Sequence, residues 1–316
     1  MPLPGWPHAA SPFHAGEQAV QQRAGSRERM EQIGRHVLRG ALPEQHRAFF
    51  ALLNFVVLGA ADDSGQPHAT LLAGPRVGFV HAPDDGCLRI DALPAADDPL
   101  AGLLQPGRAL GLLGIELQTR RRNRANGHVV QRNDSGFGLK IEQSFGNCPK
   151  YIQKREELPD AAPAAAVPAR RATRLDATAA ALVAAADTFF IATHAAGAAA
   201  HFGSDVSHRG GRPGFVRVAD DGRSLAWPDF AGNRFFNTLG NLAVEPAAGL
   251  VFVDFGNGDL LHVSGRAEIV WQGPELDAWA GAERVLRLHV SAVLHRPAAW
   301  PLRWRLVEPS PELPIG

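Results

Sequence analysis

One order of sequence signals occurs twice along this chain, on either side of a stretch that cannot form a regular helix. The first run opens with a helical segment, Pro43 to Leu53, whose Phe49, Phe50, Leu52 and Leu53 share a face. FVVLGA follows, then the turn Asp62-Asp63-Ser64-Gly65, HATLLAG, VGFVHA, a second turn Asp84-Asp85-Gly86, and CLRIDAL. An Asp-Gly pair between alternating apolar runs is a strong hairpin signal. RALGLLGIEL and the segment ending HVV read as further strands. The second run opens with a helix over Asp176 to Asp187 and continues through FFIATHAAG, GFVRVADDGRSLAW, AAGLVFVDF and LLHVSGRAEIV. Gly78-Phe79 matches Gly214-Phe215 and Asp84-Asp85-Gly86 matches Asp220-Asp221-Gly222 at one constant separation. Pro106 then matches Pro246, and the run ending in Glu116 resembles the run ending in Asp254. In-order matches of this kind predict two copies of one β-barrel-like unit.

The 316 residues have room for both copies. Between them, Glu156 to Arg174 is rich in Ala and Pro, and Pro159, Pro163 and Pro168 exclude a continuous helix, so a semi-rigid linker is expected. Ahead of the first copy, a proline-rich start gives way to a polar segment, Glu17 to Arg39, with a weak helical stripe of Val20, Ile33, Val37 and Leu38. The predicted organisation is an arm with one helix (1–40), a first unit (41–155), a linker (156–174) and a second unit (175–316).

Charge and cysteine content narrow the function classes. Lys+Arg and Asp+Glu are both 32, a balance that argues against nucleic-acid binding through bulk positive charge. Cys87 and Cys148 are too few for a disulfide framework and suit a reducing compartment. The longest apolar stretch, Phe49 to Ala61, is too short to span a bilayer. The start MPLPGWPHAA lacks the regions of a signal peptide. A cytoplasmic protein without membrane or nucleic-acid partners is expected.

P-loop, Rossmann, C-x-x-C, H-E-x-x-H and G-x-S-x-G signatures are all missing, and the 13 histidines show no metal-ligand spacing. Three segments stand out. GSDVSHRGGRPGF (203–215) carries hydroxyls at Ser204 and Ser207 and guanidinium groups at Arg209 and Arg212 among glycines, a set suited to phosphate. PDFAGNRFFNTLGNL (228–242) gathers Asn233, Asn237 and Asn241 around phenylalanines; such amides suit the edge of a heteroaromatic ring, and a capped helix with a turn explains the segment equally well. IEQSFGNCPKYIQKRE (141–156) places Asn147, Cys148, Lys150 and the only tyrosine, Tyr151, together. For Cys148 a neutral buried thiol is the expected state, since reactivity needs a depressed pKa.

These segments, with SPFHAGE (11–17), RRNRANG (121–127) and PLRWRLVEPSPELP (301–314), resemble the pyridoxamine 5′-phosphate oxidase-related flavoproteins, in particular a subgroup with two split-barrel units in one chain. The resemblance implies a mainly β fold with a few helices (α+β): two tandem six-stranded, Greek-key split β-barrels forming an intrachain pseudo-dimer. It also implies FMN between the barrels and flavin redox chemistry on a small molecule, with electrons from NAD(P)H or a partner reductase. A homodimer is compatible with it. Nothing in it points to pyridoxamine 5′-phosphate as substrate.

The two copies are unequally equipped. ATLLAGPRVGF and IDALPAADDPLAGLL in the first replace the polar SDVSHRGGRPGF and PDFAGNRFFNTLGNL of the second. One competent flavin site is therefore expected on the second unit, with RRNRANG and FGNCPKY contributed by the first. In that site the resemblance puts Ser204, Ser207, Arg209 and Arg212 near the phosphate or ribityl chain. Asn233, Asn237 and Asn241 fall near the ring edge, and Asn147, Lys150 and Tyr151 on the capping side. No catalytic residue and no metal ligand is assigned. A departure is Asn237-Thr238-Leu239-Gly240-Asn241, where many relatives place a Ser/Thr-Arg-Lys cluster. The alternative is a non-catalytic flavin- or haem-binding protein, with His194, His201 or His208 as candidate axial ligands.

Overall fold

The apolar runs form strands covered on both faces. A computed structural model describes residues 5–159 and 167–313; the middle of the expected linker, including Pro163, lies outside the described residues. Strands β1 (Phe55–Ala61), β2 (Pro67–Ala73), β3 (Val80–His81), β4 (Cys87–Ile90), β5 (Ala109–Glu116), β6 (Arg121–Asn133) and β7 (Gly136–Gly146) make one sheet in the order β2-β1-β5-β6-β7-β4-β3. After β8 (Lys154–Glu157) and β9 (Arg170–Ala172) comes a second set: β10 (Thr188–Ala195), β11 (Gly203–Gly210), β12 (Arg217–Val218), β13 (Ser224–Phe230), β14 (Ala247–Val253), β15 (Leu260–Val270) and β16 (Ala282–Arg296). Its order is β11-β10-β14-β15-β16-β13-β12, the same path strand for strand, with β9 added beside β16. β17 (Trp304–Glu308) pairs with β8 as a separate ribbon.

The protein is mainly β. Neither sheet closes on itself, and each path holds seven strands where six-stranded barrels were expected. The additional strands, β3 and β12, are two residues long and pair only with β4 and β13, too short to bridge back to the opposite edge. Both Asp-Asp-Gly turns lie in the hairpins that precede β4 and β13, as the sequence indicates.

Each sheet covers a core of its own on one face, Phe50, Leu58, Leu88 and Phe137 among the residues in the first and Phe189, Trp227, Leu250 and Leu286 in the second. The opposite faces share a third core of Phe55, Val57, Leu113, Phe190, Val206, Val251, Trp300 and Trp304. This explains why β1, β10 and β14 read as continuous apolar runs: they are buried on both sides. The sheets approach closely enough that a Cβ on Gly111 would lie 2.8 Å from the Asp205 Cα, and one on Gly249 would lie 2.2 Å from the Pro67 carbonyl oxygen.

Among the described residues there are six helices. The arm contains two where one was expected: α1 (Ala15–Arg23) and α2 (Arg27–Val37). Gly25 between them adopts φ +65°, which takes the backbone out of the right-handed helix. α3 (Glu44–Ala51) and α4 (Ala177–Ala185) match the predicted helical segments, α4 capped by Asp176 Oδ1 on the Ala179 N–H at 2.8 Å. α5 (Asn237–Val244) connects β13 to β14, and α6 (Pro274–Asp277) is a single turn. The described ends of the expected linker are strands, β8 against β17 and β9 against β16.

Candidate functional site

β6 of the first sheet and β11 of the second converge on one cleft. Its walls are Arg122 and Arg124 on β6, Asn147 to Tyr151 just after β7, Ser207 to Gly210 on β11, Asp229 and Phe230 at the end of β13, and Gly232 to Leu239 leading into α5. The non-atom space is about 850 Å³ with the open mouth included.

The floor is a hydrogen-bonded network centred on Arg124. Its guanidinium ion-pairs with Asp205 at 3.0 Å and donates from Nη1 to Asn237 Oδ1 (2.9 Å) and from Nη2 to Ser207 Oγ (2.6 Å). Ser207 Oγ donates to Asp205 Oδ2 (3.1 Å) and accepts from Thr238 Oγ1 (3.0 Å). Asn237 Nδ2 donates to Glu17 Oε1 (2.6 Å), so the arm is tied to the same network. His14 caps α1 by accepting from the Gly16 N–H, and its Nε2 meets Asn241 Oδ1 at 2.8 Å. This is the structural meaning of SPFHAGE: it docks α1 onto α5. Burial, opposed by the His14 N–H and Asn237, pushes the Glu17 carboxyl up to about 8.

Beside this floor lie cationic groups without full partners. Arg122 Nη1 donates to His208 Nδ1 at 3.2 Å, while Arg122 Nε, His208 Nε2 and Arg209 Nε are buried with no hydrogen-bond partner. Arg209 approaches a carboxylate only at 3.9 Å, from Asp229. Asp229 is committed elsewhere, accepting from Arg284 Nε at 3.0 Å. Burial and the neighbouring guanidinium groups of Arg124 and Arg209 lower Arg122 to about 9. Burial, then Arg122 and Arg209, keep His208 well below the usual imidazole value, hence neutral. Such a site offers buried donors and excess positive charge to an anion.

The opposite wall is aromatic and strained. Tyr151 packs on Phe230 with ring centroids 5.4 Å apart and donates its hydroxyl to the Ala231 carbonyl at 2.9 Å. Five described non-glycine residues have positive φ, and three of them, Tyr151 (66°), Arg234 (62°) and Phe236 (63°), line this cleft. Each such residue costs on the order of 1–3 kcal/mol, and such strain concentrates at functional sites.

Seven of the ten site residues expected from the sequence line the cleft: Ser207, Arg209, Asn233, Asn237, Asn147, Lys150 and Tyr151. Three do not. The Ser204 hydroxyl meets His194 Nδ1 at 3.0 Å. Arg212 is exposed in the turn after β11. Asn241 is buried between His14 and Thr193, where it holds the arm. Ser207 is internally saturated, which makes it a support for Arg124. Cys148 is half-buried in the cleft wall, where a buried thiol was expected. Of the three histidines, only His208 lines the cleft. Individual reading overlooked Arg122 and Arg124, and named His208 only as a candidate axial ligand. The first two lie in RRNRANG, but alternation along β6 cannot say which arginines face the other sheet.

Two open antiparallel sheets of one strand order meet at an arginine-lined cleft. Residues 175–302 match the family described as pyridoxamine 5′-phosphate oxidase. No curated protein matches the chain. Among solved structures, HupZ from Group A Streptococcus is similar at 16% identity, covering 38% of this chain and 91% of its own, with a TM-score of 0.31. A putative pyridoxamine 5′-phosphate oxidase from Lactobacillus delbrueckii is similar at 16% identity over 39% and 94%, also with 0.31. A FAD-binding protein from Mesorhizobium loti gives 15% identity over 41% and 97%, with 0.28. Among the described residues, no helix is long and apolar enough to cross a membrane.

Proposed function

We propose that the chain is a flavoprotein whose inter-sheet cleft binds FMN, and that it acts as an FMN-dependent oxidoreductase on a small molecule. The observation that carries this reading is the set of unpartnered buried donors, Arg122 Nε, Arg209 Nε and His208 Nε2, in a cleft whose nearby carboxylates, Asp205 and Asp229, are already paired with Arg124 and Arg284. A phosphate monoester supplies the missing acceptors and charge. In this reading Arg122 and Arg209 hold the phosphate, with His208 donating from Nε2. Asn233, Asn147 and Lys150 are the polar groups left for the rest of the cofactor, and Tyr151, Phe230 and Phe236 give it an apolar wall. The family match over residues 175–302 agrees with the choice of a flavin cofactor.

When bound, the flavin supplies hydride or electron transfer. The protein's part is to orient it and set its electrostatics. Positive charge from Arg122 and Arg209 near the cofactor favours a reduced, anionic state. Electrons would come from NAD(P)H binding transiently or from a partner reductase. The two sheets, related by strand order and joined through a shared core, would act as the two halves of a pseudo-dimer.

A second reading, haem binding, rests on one atom, the unpartnered Nε2 of buried His208, and requires Arg122 to release Nδ1 so that the ring proton can move there. The visible spectrum of the purified protein, followed by heat release and identification of the chromophore, separates the two. Flavin bands that bleach with NAD(P)H support the oxidoreductase; flavin bands without bleaching by any donor reduce the claim to binding. A Soret band supports haem and overturns the flavin assignment.

A further inference from the structure

The shared strand order creates a second position equivalent to the cleft, and the chain fills it with its own side chains. The registers identify the equivalent residues. Val57 pairs with Leu71 and Leu113, and Leu113 pairs with Arg124. Phe190 pairs with His208 and Val251, and Val251 pairs with His262. Val57, Leu113, Phe190 and Val251 all face the shared core, so Leu71 stands where His208 stands, and His262 where Arg124 stands. On the same strands, Thr70 stands where Ser207 stands, Leu72 replaces Arg209 and Leu260 replaces Arg122. Arg124 faces Phe145 as His262 faces Leu294, which makes Asn147 the equivalent of Arg296.

At this second position His262, Leu260 and Leu72 replace the cleft's Arg124, Arg122 and Arg209, and the one cation that appears, Arg296, faces inward. Arg296 reaches from the end of β16 to the β4–β5 connection, the counterpart of the connection that carries α5. It donates from Nη1 to Asp98 Oδ2 at 2.7 Å and from Nη2 to Asp97 Oδ1 at 2.6 Å. Asp98 also accepts from Thr70 Oγ1 (2.5 Å) and from the Leu100 N–H (2.9 Å). The Arg296 and Asp98 side chains are 4% and 3% exposed. In the open cleft the same two walls, Asn147 to Tyr151 and Asn233 to Leu239, stay apart.

We infer that Arg296, locked to Asp98 and Asp97, is a built-in strut that closes the second cofactor position, so that the chain takes one flavin for its two sheets. The ligand named here rests on the flavin reading; the strut rests on geometry alone. It joins walls that a ligand would otherwise separate, and its charge is neutralised within the chain, leaving nothing to attract an anion.

The test has two independent readouts on the full chain. Titration of the apoprotein with FMN is expected to saturate at one flavin per chain, and two per chain overturns the inference. Thermal unfolding is then compared for wild type, Arg296→Met, Asp98→Asn and the double variant. Each single variant is expected to lower the midpoint, and the double variant to lose less than the two combined, with FMN affinity within about twofold of wild type in every variant that folds. Additive losses, or a large loss of FMN affinity in Arg296→Met, overturn the strut. If Arg296→Met does not fold, Thr70→Val with Asp97→Asn supplies the cycle at the same cluster. Failure to bind FMN at all defeats the proposed function, while the unfolding cycle still decides the strut.

Discussion

Arg124 of β6 and Asp205 of β11 meet at 3.0 Å with side-chain exposures of 5% and 4%, an ion pair that joins the two sheets under the floor of the cleft. Ser207, Asn237 and Asn126 hydrogen-bond to this pair, and Thr238 donates to Ser207. Removing one partner leaves an uncompensated buried charge. Arg124→Met is therefore expected to destabilise the protein by about 3–5 kcal/mol in denaturant unfolding, and Arg124→Met with Asp205→Asn by less. Equal losses in the single and double variants would contradict this account.

Arg122 lies two residues away and behaves oppositely. No carboxylate neutralises it, and Arg124 and Arg209 repel it. Arg122→Met is expected to leave unfolding stability unchanged or slightly raised. FMN affinity should fall about 10- to 100-fold, as for loss of a charged hydrogen bond worth about 1.5–3 kcal/mol. Isothermal titration beside thermal unfolding reads both effects.

Glu17 ties the arm to the cleft through Asn237. Its native value near 8 lies above the ordinary 4.5, so the folded state retains a proton that the unfolded state has released. Its contribution is fully present below about 4.5 and is lost as pH rises to about 8, with a slope of at most about 1.4 kcal/mol per pH unit. Glu17→Gln is expected to flatten the stability profile across that window.

His262 has the opposite sign. Burial, followed by the charge of Arg296, lowers it from 6.5 to about 3, while its Nδ1 donates to the Ala69 carbonyl at 3.0 Å. The unfolded chain takes up a proton below 6.5 and the folded chain does not, so stability is lost as pH falls from 6.5 toward 3. His262→Asn keeps a donor for Ala69 and cannot titrate there; its stability is expected to fall less on acidification, as measured by denaturant midpoints at several pH values.

Much of the strand layout was legible because turn chemistry and apolar runs are local. The Asp84-Asp85-Gly86 and Asp220-Asp221-Gly222 turns located two hairpins, and the fully apolar β1 and β14 declared burial on both faces. The break between α1 and α2 was missed, since Gly25 within a weak stripe does not announce positive φ. At the cleft, the expected segments were brought together more often than the individual residues. RRNRANG was expected to contribute to the site, yet only the fold distinguishes Arg124, ion-paired with Asp205, from Arg122, which has no carboxylate partner among the described residues. Ser204 and Asn241 looked equivalent to Ser207 and Asn237 in sequence. Three residues along a strand or one turn of helix sends them to His194 and His14 instead, because orientation is set by packing between distant elements.

The most direct measurement is the affinity of the apoprotein for FMN against riboflavin, which differ only by the phosphate. The account predicts that FMN binds at least about tenfold tighter, through charged hydrogen bonds to the phosphate, and that Arg122→Met with Arg209→Met abolishes the difference. Equal affinities for the two flavins in the wild-type protein, or no binding of either, would contradict it.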